Sequence, residues 1–273
     1  MFTGPARMMP QREGQAAVID PARPDTLLRA PAAGLPTADF TIEAHVILQS
    51  LFADATVRVI ASQWSGNTAE PGWSLGVTSE KSRYVPRNLI IQLAGDPARG
   101  ESPYEVVPSG LHLDLQRPYY VAASVRLSDP GDRSVTFFVK DLSDNDAPLV
   151  EKRVAVTFAG SHASPRGLVI GGRDAGRAGA SAASAWDGLI DDVRLSARPL
   201  VRDELLWEGG DPGPAVVGHW LVEESPGFTA DSSGQGRDLV PVAPAKAASS
   251  PRFEALVDLC HVLFNSSEFL HVE

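Results

Sequence analysis

The chain has 273 residues, 24 of them Lys or Arg against 34 Asp or Glu, for a formal net charge of −10. An acidic surface repels phosphate backbones and argues against nucleic acid as the main partner. A single cysteine, Cys260, excludes an intrachain disulfide and any cysteine-based zinc site. With 43% hydrophobic and 21% charged residues the chain can build a packed core. Its 24 Gly and 22 Pro suit many short strands joined by turns. No apolar run reaches the length of a membrane span. The stretch Met1–Gly14 lacks the apolar centre of a signal peptide. The expectation is a cytoplasmic chain or an internal piece of a longer secreted one.

Residues 1–14 read as a polar lead-in. Ala17–Asp20 and Thr26–Arg29 follow as short edge strands punctuated by Pro21, Pro24 and Pro31. In Phe40–Leu48 the residues Phe40, Ile42, Ala44 and Val46 share one face, and Thr41, Glu43, His45 and Ile47 the other. Strands are expected at 56–64, 72–79 and 88–93, the last two alternating through Trp73, Leu75, Val77 and Leu89, Ile91, Leu93. Tyr119–Leu127 and Ser134–Asp141 form a hairpin across the Asp129-Pro-Gly-Asp132 turn. Further strands are expected at 149–158, 168–171 and 216–222, with a small-residue loop at 176–185 and a short helical turn over Val201–Trp207. A Pro/Ala/Ser linker, residues 241–251, leads to a tail, residues 252–273. Phe253–Phe264 in this tail has helical apolar spacing and needs a partner surface, in another domain or another chain. About a dozen short strands with no βαβ alternation predict an all-β antiparallel sandwich over residues 15–240 with a short C-terminal helix.

Trp186–Ser196 poses a conflict. Strict alternation puts Leu189, Val193 and Leu195 on the core face together with Asp191, and Arg194 and Ser196 on the other. A carboxylate among core residues is costly unless donors or a cation meet it.

Five segments in order are Asp39-Phe-Thr-Ile-Glu-Ala-His45, Tyr119-Tyr-Val-Ala-Ala123, Ser134-Val-Thr-Phe-Phe-Val-Lys140, Leu168-Val-Ile-Gly-Gly172 and Trp186–Leu200. Together they resemble the laminin G-like jelly roll of the concanavalin A-like lectin and glucanase superfamily, over roughly residues 37–207. His45 replaces that family's usual Trp, and Phe138-Val-Lys-Asp141 lacks its hairpin glycine. The tail from Phe253 to Glu273 resembles the C-terminus of planctomycete-type cytochrome c-associated secreted proteins. The resemblance implies an extracytoplasmic location, but the chain has no Cys-x-x-Cys-His motif, so no haem is expected.

Asp191 is a candidate ligand of a structural calcium, since related glucanases hold calcium at a comparable strand. Asp231, in Asp231-Ser-Ser-Gly234, is a second. The competing reading has Asp191 meeting backbone N–H groups at a bulge and Asp231 making an Asx turn. Glu43 and His45, with Trp64, Tyr84 and Arg87 on loops, have the aromatic and planar polar character of a sugar site, or of an ordinary polar sheet face. The superfamily's catalytic Glu-x-Asp-x-x-Glu strand is absent, and Glu223-Glu224 would face opposite sides of a strand. The expected function is therefore non-catalytic: recognition of a glycan or a protein partner. The alternatives are a glycosidase-like domain acting on polysaccharide, or an inert spacer.

Overall fold

The computed structural model describes residues 6–7, 14–102, 104–160, 162–173, 184–225 and 227–242. The expected helix over Phe253–Phe264, nearly all of the 241–251 linker and most of the 176–185 loop lie outside the described residues. The strands are β1 (Ala6–Arg7), β2 (Ala16–Ile19), β3 (Leu28–Ala30), β4 (Phe40–Leu48), β5 (Arg58–Ser62), β6 (Gly72–Val77), β7 (Asn88–Ala94) and β8 (Glu105–His112). They continue with β9 (Pro118–Arg126), β10 (Ser134–Asp141), β11 (Val150–Ala155), β12 (Leu168–Ile170), β13 (Gly188–Ser196), β14 (Val216–Trp220) and β15 (Val240–Pro241).

Two antiparallel sheets result. The eight-stranded sheet runs β1-β2-β13-β4-β9-β10-β11, with β14 also paired to β13; the seven-stranded sheet runs β15-β3-β12-β5-β6-β7-β8. The architecture is a jelly-roll-like β-sandwich, as the alternating pattern predicts. β9 and β10 form the expected hairpin, from Ser134 opposite Arg126 to Asp141 opposite Tyr119. The inward rows Phe40–Val46, Trp73–Val77, Leu89–Leu93 and Val121–Val125 meet in one buried core. Phe40 of one sheet stacks on Trp73 of the other at 4.6 Å between ring centroids, a contact worth about 0.5–1.5 kcal/mol beyond its area.

β8 is a strand that composition hides. Pro108 and Gly110 break the expected pattern, yet proline is tolerated here because β8 is the edge of its sheet. Val201–Trp207 is two short 3₁₀ turns, 202–204 and 206–208, in place of one helical turn.

The alternation assumed for β13 breaks at a bulge. Asp191 lies opposite His45, but Arg194 lies opposite Glu43, so one extra residue sits between them. Asp192 takes φ +50°, the left-handed conformation that Asp tolerates better than most residues. The extra residue reverses the phase. Ile190 packs in the core before the bulge and Val193 and Leu195 after it, while Leu189 packs with Ile47 and Ala16 on the outer face. Asp191 and Leu189 therefore do not share the core face with Val193 and Leu195. Asp191 is 1% exposed, but on the outer side of the sheet beside His45.

Candidate functional site

The outer face of the eight-stranded sheet is roofed. After β13 the chain crosses over this face through residues 197–215. Thr41 anchors the roof by donating from Oγ1 to the Arg198 carbonyl (2.9 Å) and accepting from Leu200 N–H (2.8 Å). Leu200 and Leu205 pack on Tyr120, Ala122 and Phe138 in a second apolar cluster. Glu43 lies beneath with no exposure. It accepts from Arg194 Nε (2.7 Å), the Tyr120 hydroxyl (2.5 Å) and Leu206 N–H (2.8 Å). Arg194 extends the chain of contacts to the Glu204 carbonyl (2.6 Å) and the Gly210 carbonyl (2.8 Å). Burial, followed by the adjacent Glu43 charge, holds the Tyr120 hydroxyl well above its ordinary pKa, so it remains a donor.

Glu43 and His45 thus share the face the sequence assigns them, but they line no open groove. His45 is 3% exposed and sits 5.3 Å from Tyr120, centroid to centroid. Its Nδ1 is 3.8 Å from Asp192 Oδ2, and Asp192 Oδ1 lies 2.7 Å from His219 Nε2. Asp192 therefore bridges two imidazoles at the bulge.

Asp231 makes the Asx turn of the competing reading. Its Oδ1 accepts from His219 N–H (3.0 Å) and Ser233 N–H (2.9 Å), and its Oδ2 from Arg237 N–H (2.9 Å). Burial raises its pKa, but these hydrogen bonds outweigh burial, and the net shift is downward. Among the described residues no three His, Cys, Asp or Glu side chains gather in a way that could hold a metal ion.

The other three candidates belong to the seven-stranded sheet. Its outer face carries Ser62, Ser74, Gln92 and Val106 as opposed residues on β5, β6, β7 and β8. Two adjoining hollows open along it, and Tyr84 lines both. One, of about 340 Å³, is lined by Tyr84, Tyr104, Gln92, Thr78, Lys81 and Arg83 among others. The second, of about 540 Å³, runs between the 84–88 loop, β8 and β11. Trp64 is a support, not a platform: it is 2% exposed and donates from Nε1 to the Asn67 and Glu70 carbonyls (2.9 and 3.1 Å). Its ring stacks on Tyr104 at 5.7 Å, and the Arg173 guanidinium lies over it at 4.9 Å. Arg173 donates to Gln92 Oε1, and Gln92 Nε2 donates to the Tyr104 hydroxyl (2.5 Å). Arg87, at φ +65°, pairs with Asp114 at the loop base.

The five expected ligand-binding residues therefore divide between opposite faces of the sandwich. Trp64 and Tyr84 belong with Tyr104, Gln92, Arg83 and Arg173, which sequence reasoning missed. Gln92 carried a signal, being a polar outward position among the apolar residues 89–94. Tyr104 carried none, because β8 was not foreseen.

No family model and no curated protein sequence matches the chain. Solved structures match its fold. Tailspike protein 2 of Escherichia coli O157:H7 bacteriophage CAB120 superposes with a TM-score of 0.56 at 12% identity, over 81% of this chain and 28% of the tailspike. The enzymatically active domain of bacteriophage CBA120 tailspike protein 2 gives a TM-score of 0.56 at 11% identity, over 81% of this chain and 32% of that domain. A candidate carbohydrate-binding protein from Bacteroides ovatus ATCC 8483 gives 0.51 at 14% identity, over 85% of this chain and 61% of that protein. The chain thus spans under a third of the tailspike chains, and at these identities the likeness is one of fold.

Proposed function

We propose that the chain is a non-catalytic, lectin-like β-sandwich module that binds carbohydrate on the outer face of its seven-stranded sheet. The observation that carries this reading is the hollow between Tyr84 and Tyr104. Saccharides are held by aromatic faces that take their C–H surfaces and by planar polar groups that take their hydroxyls, and here Gln92, Arg83 and the Ser82 hydroxyl accompany the two phenols. Burial raises the Tyr104 pKa, so its hydroxyl is neutral at ordinary pH. Fold likeness to the Bacteroides ovatus protein agrees with a carbohydrate ligand, as does the laminin G-like order of segments. The latter also favours an extracytoplasmic site of action.

A glycosidase needs two carboxylates flanking the scissile bond. The lining of the 340 Å³ hollow includes no Asp or Glu, which supports binding over hydrolysis. The test is a glycan array followed by calorimetric titration of the purified protein against each hit, with Tyr84→Ala and Tyr104→Ala. Each substitution is expected to weaken binding at least about tenfold, the scale of a lost aromatic stack. Binding to no glycan, or variants that bind like the parent, would overturn the proposal; turnover of a bound oligosaccharide would refute its non-catalytic part.

A further inference from the structure

We propose that the ligand on this face is anionic, a saccharide bearing a carboxylate or a sulfate, held by Arg173 together with Lys81 and Arg83. The inference rests on the carbohydrate-binding reading above and narrows its ligand class.

Three observations carry it. The first is the distribution of charge. On a chain of net charge −10, the 340 Å³ hollow is lined by two cations, Lys81 and Arg83, and by no carboxylate. Two nearby acids have other partners, Glu70 with Arg166 (3.0 and 2.8 Å) and Ser65 (2.9 Å) and Asp114 with Arg87 and Arg117, while Asp54 accepts from Thr56 N–H (2.8 Å) and also feels the Lys81 charge, which leaves Arg83 and Arg173 as the cations without an acid beside them among the described residues.

The second is Arg173. Its guanidinium lies over the Trp64 ring and reaches Gln92, while its Nε–H is buried and meets no acceptor among the described residues. Burial lowers its pKa to about 10, and the one charge interaction that opposes the shift comes from the Tyr104 phenol, not from an acid. The group is still cationic at neutral pH, and it is partly desolvated. Such a cation is costly to hold without an anion and attracts one more strongly than a solvated charge does.

The third is the balance of donors and acceptors. Ser74, directly across from Gln92 on β6, has a buried hydroxyl that also meets no partner among the described residues. With Ser74 buried beneath them, Arg173, Arg83, Lys81 and the Tyr104 hydroxyl make a surface rich in donors. Carboxylate and sulfate oxygens only accept, whereas the hydroxyls of a neutral sugar must also donate.

The experiment is calorimetric titration of the full chain with hexagalacturonate, with its fully methyl-esterified form, and with a heparin-derived hexasaccharide. Expected is binding of hexagalacturonate, the sulfated hexasaccharide or both, at least about tenfold tighter than the methyl ester and weakening several-fold between 50 and 300 mM NaCl as screening shortens the reach of the charges. Whichever acid binds identifies carboxylate or sulfate as the recognised group. Lys81→Gln/Arg83→Gln, on exposed positions, should weaken the acidic ligand about three- to tenfold. Arg173→Lys keeps the charge but loses the planar fork, and should weaken it at least about tenfold. If the methyl ester binds as well as the acid, or a neutral glycan is bound with no effect of salt or of these substitutions, the anionic proposal falls while carbohydrate binding stands. If no glycan, acidic or neutral, is bound, both fall together.

Discussion

The buried Glu43–Arg194 pair of β4 and β13 holds the roof of residues 197–215 through Leu206 N–H and the Glu204 and Gly210 carbonyls, and removing Glu43 tests that role. Glu43 is fully buried and accepts three hydrogen bonds, from a guanidinium, a phenol and a backbone N–H. Glu43→Ala leaves Arg194 buried at 4% exposure with only the Glu204 and Gly210 carbonyls, and strands the Tyr120 hydroxyl and Leu206 N–H. Breaking a buried pair by deleting one partner costs about 3–5 kcal/mol, because the remaining charge is uncompensated. For a domain of this size each kcal/mol lowers the melting temperature by about 2–4 °C, so the expected drop is about 6–20 °C. Glu43→Gln keeps the volume and one acceptor but no charge, and should cost about 1.5–3 kcal/mol, the worth of a hydrogen bond to a charged group. Urea unfolding with circular dichroism gives the magnitudes, and hydrogen exchange at Leu206 N–H reports whether the roof lifts first. A Glu43→Ala protein melting within 2 °C of the parent, with Leu206 still protected, would refute the reasoning.

The remaining predictions concern backbone and titration. Gly188 has φ +138°, and a Cβ there would lie 2.1 Å from the Ile47 carbonyl oxygen; Gly188→Ala should destabilise by at least about 2 kcal/mol in denaturant unfolding, since strain and a backbone clash combine. His162 is buried with its Nε2 2.8 Å from the Ala38 carbonyl, and burial lowers its pKa to about 4 from an ordinary 6.5. The unfolded chain therefore binds this proton first, and stability present above pH 6.5 should decline by about 2–3 kcal/mol by pH 4.5; His162→Gln should flatten that limb, and an unchanged acid limb would count against it. Deleting Asp192 leaves Val193 directly opposite Ala44 and Arg194 still opposite Glu43, so Ile190, Val193 and Leu195 keep the core face; the deletion should still unfold cooperatively, and so should Asp192→Gly, which suits the left-handed backbone, whereas loss of the cooperative transition in both would count against this register.

Much of the sandwich is legible in the sequence because its strands alternate cleanly and each bears one buried face. Phe40–Leu48 has the bounds that alternation gives it, and the β9–β10 hairpin forms around its Asp-Pro-Gly turn. Legibility fails where the period-two rule fails. β8 escapes it through Pro108 and Gly110, which an edge strand tolerates and a central one would not. β13 escapes it through one inserted residue, so that a pattern read straight through assigns Leu189 and Asp191 to the wrong side.

The candidate site was less legible than the fold for a related reason. Alternation tells which residues leave the core, but not whether the face they enter is open. Glu43, His45, Trp64, Tyr84 and Arg87 all leave the core or sit on loops, as expected. What separates them is the 197–215 segment, which crosses back over one sheet and covers Glu43, held there by Thr41, Glu43 and Arg194. Polar residues on a sheet face are thus ambiguous between ligand and lining, and complementary partners decide. Glu43 has a buried guanidinium to neutralise it. Arg173, on the opposite side, has Gln92 and an aromatic ring but no described carboxylate. The first is a charge the fold completes by itself. The second is the kind of group that a ligand from outside would complete, and that asymmetry is the physical reason to look for function on the seven-stranded sheet.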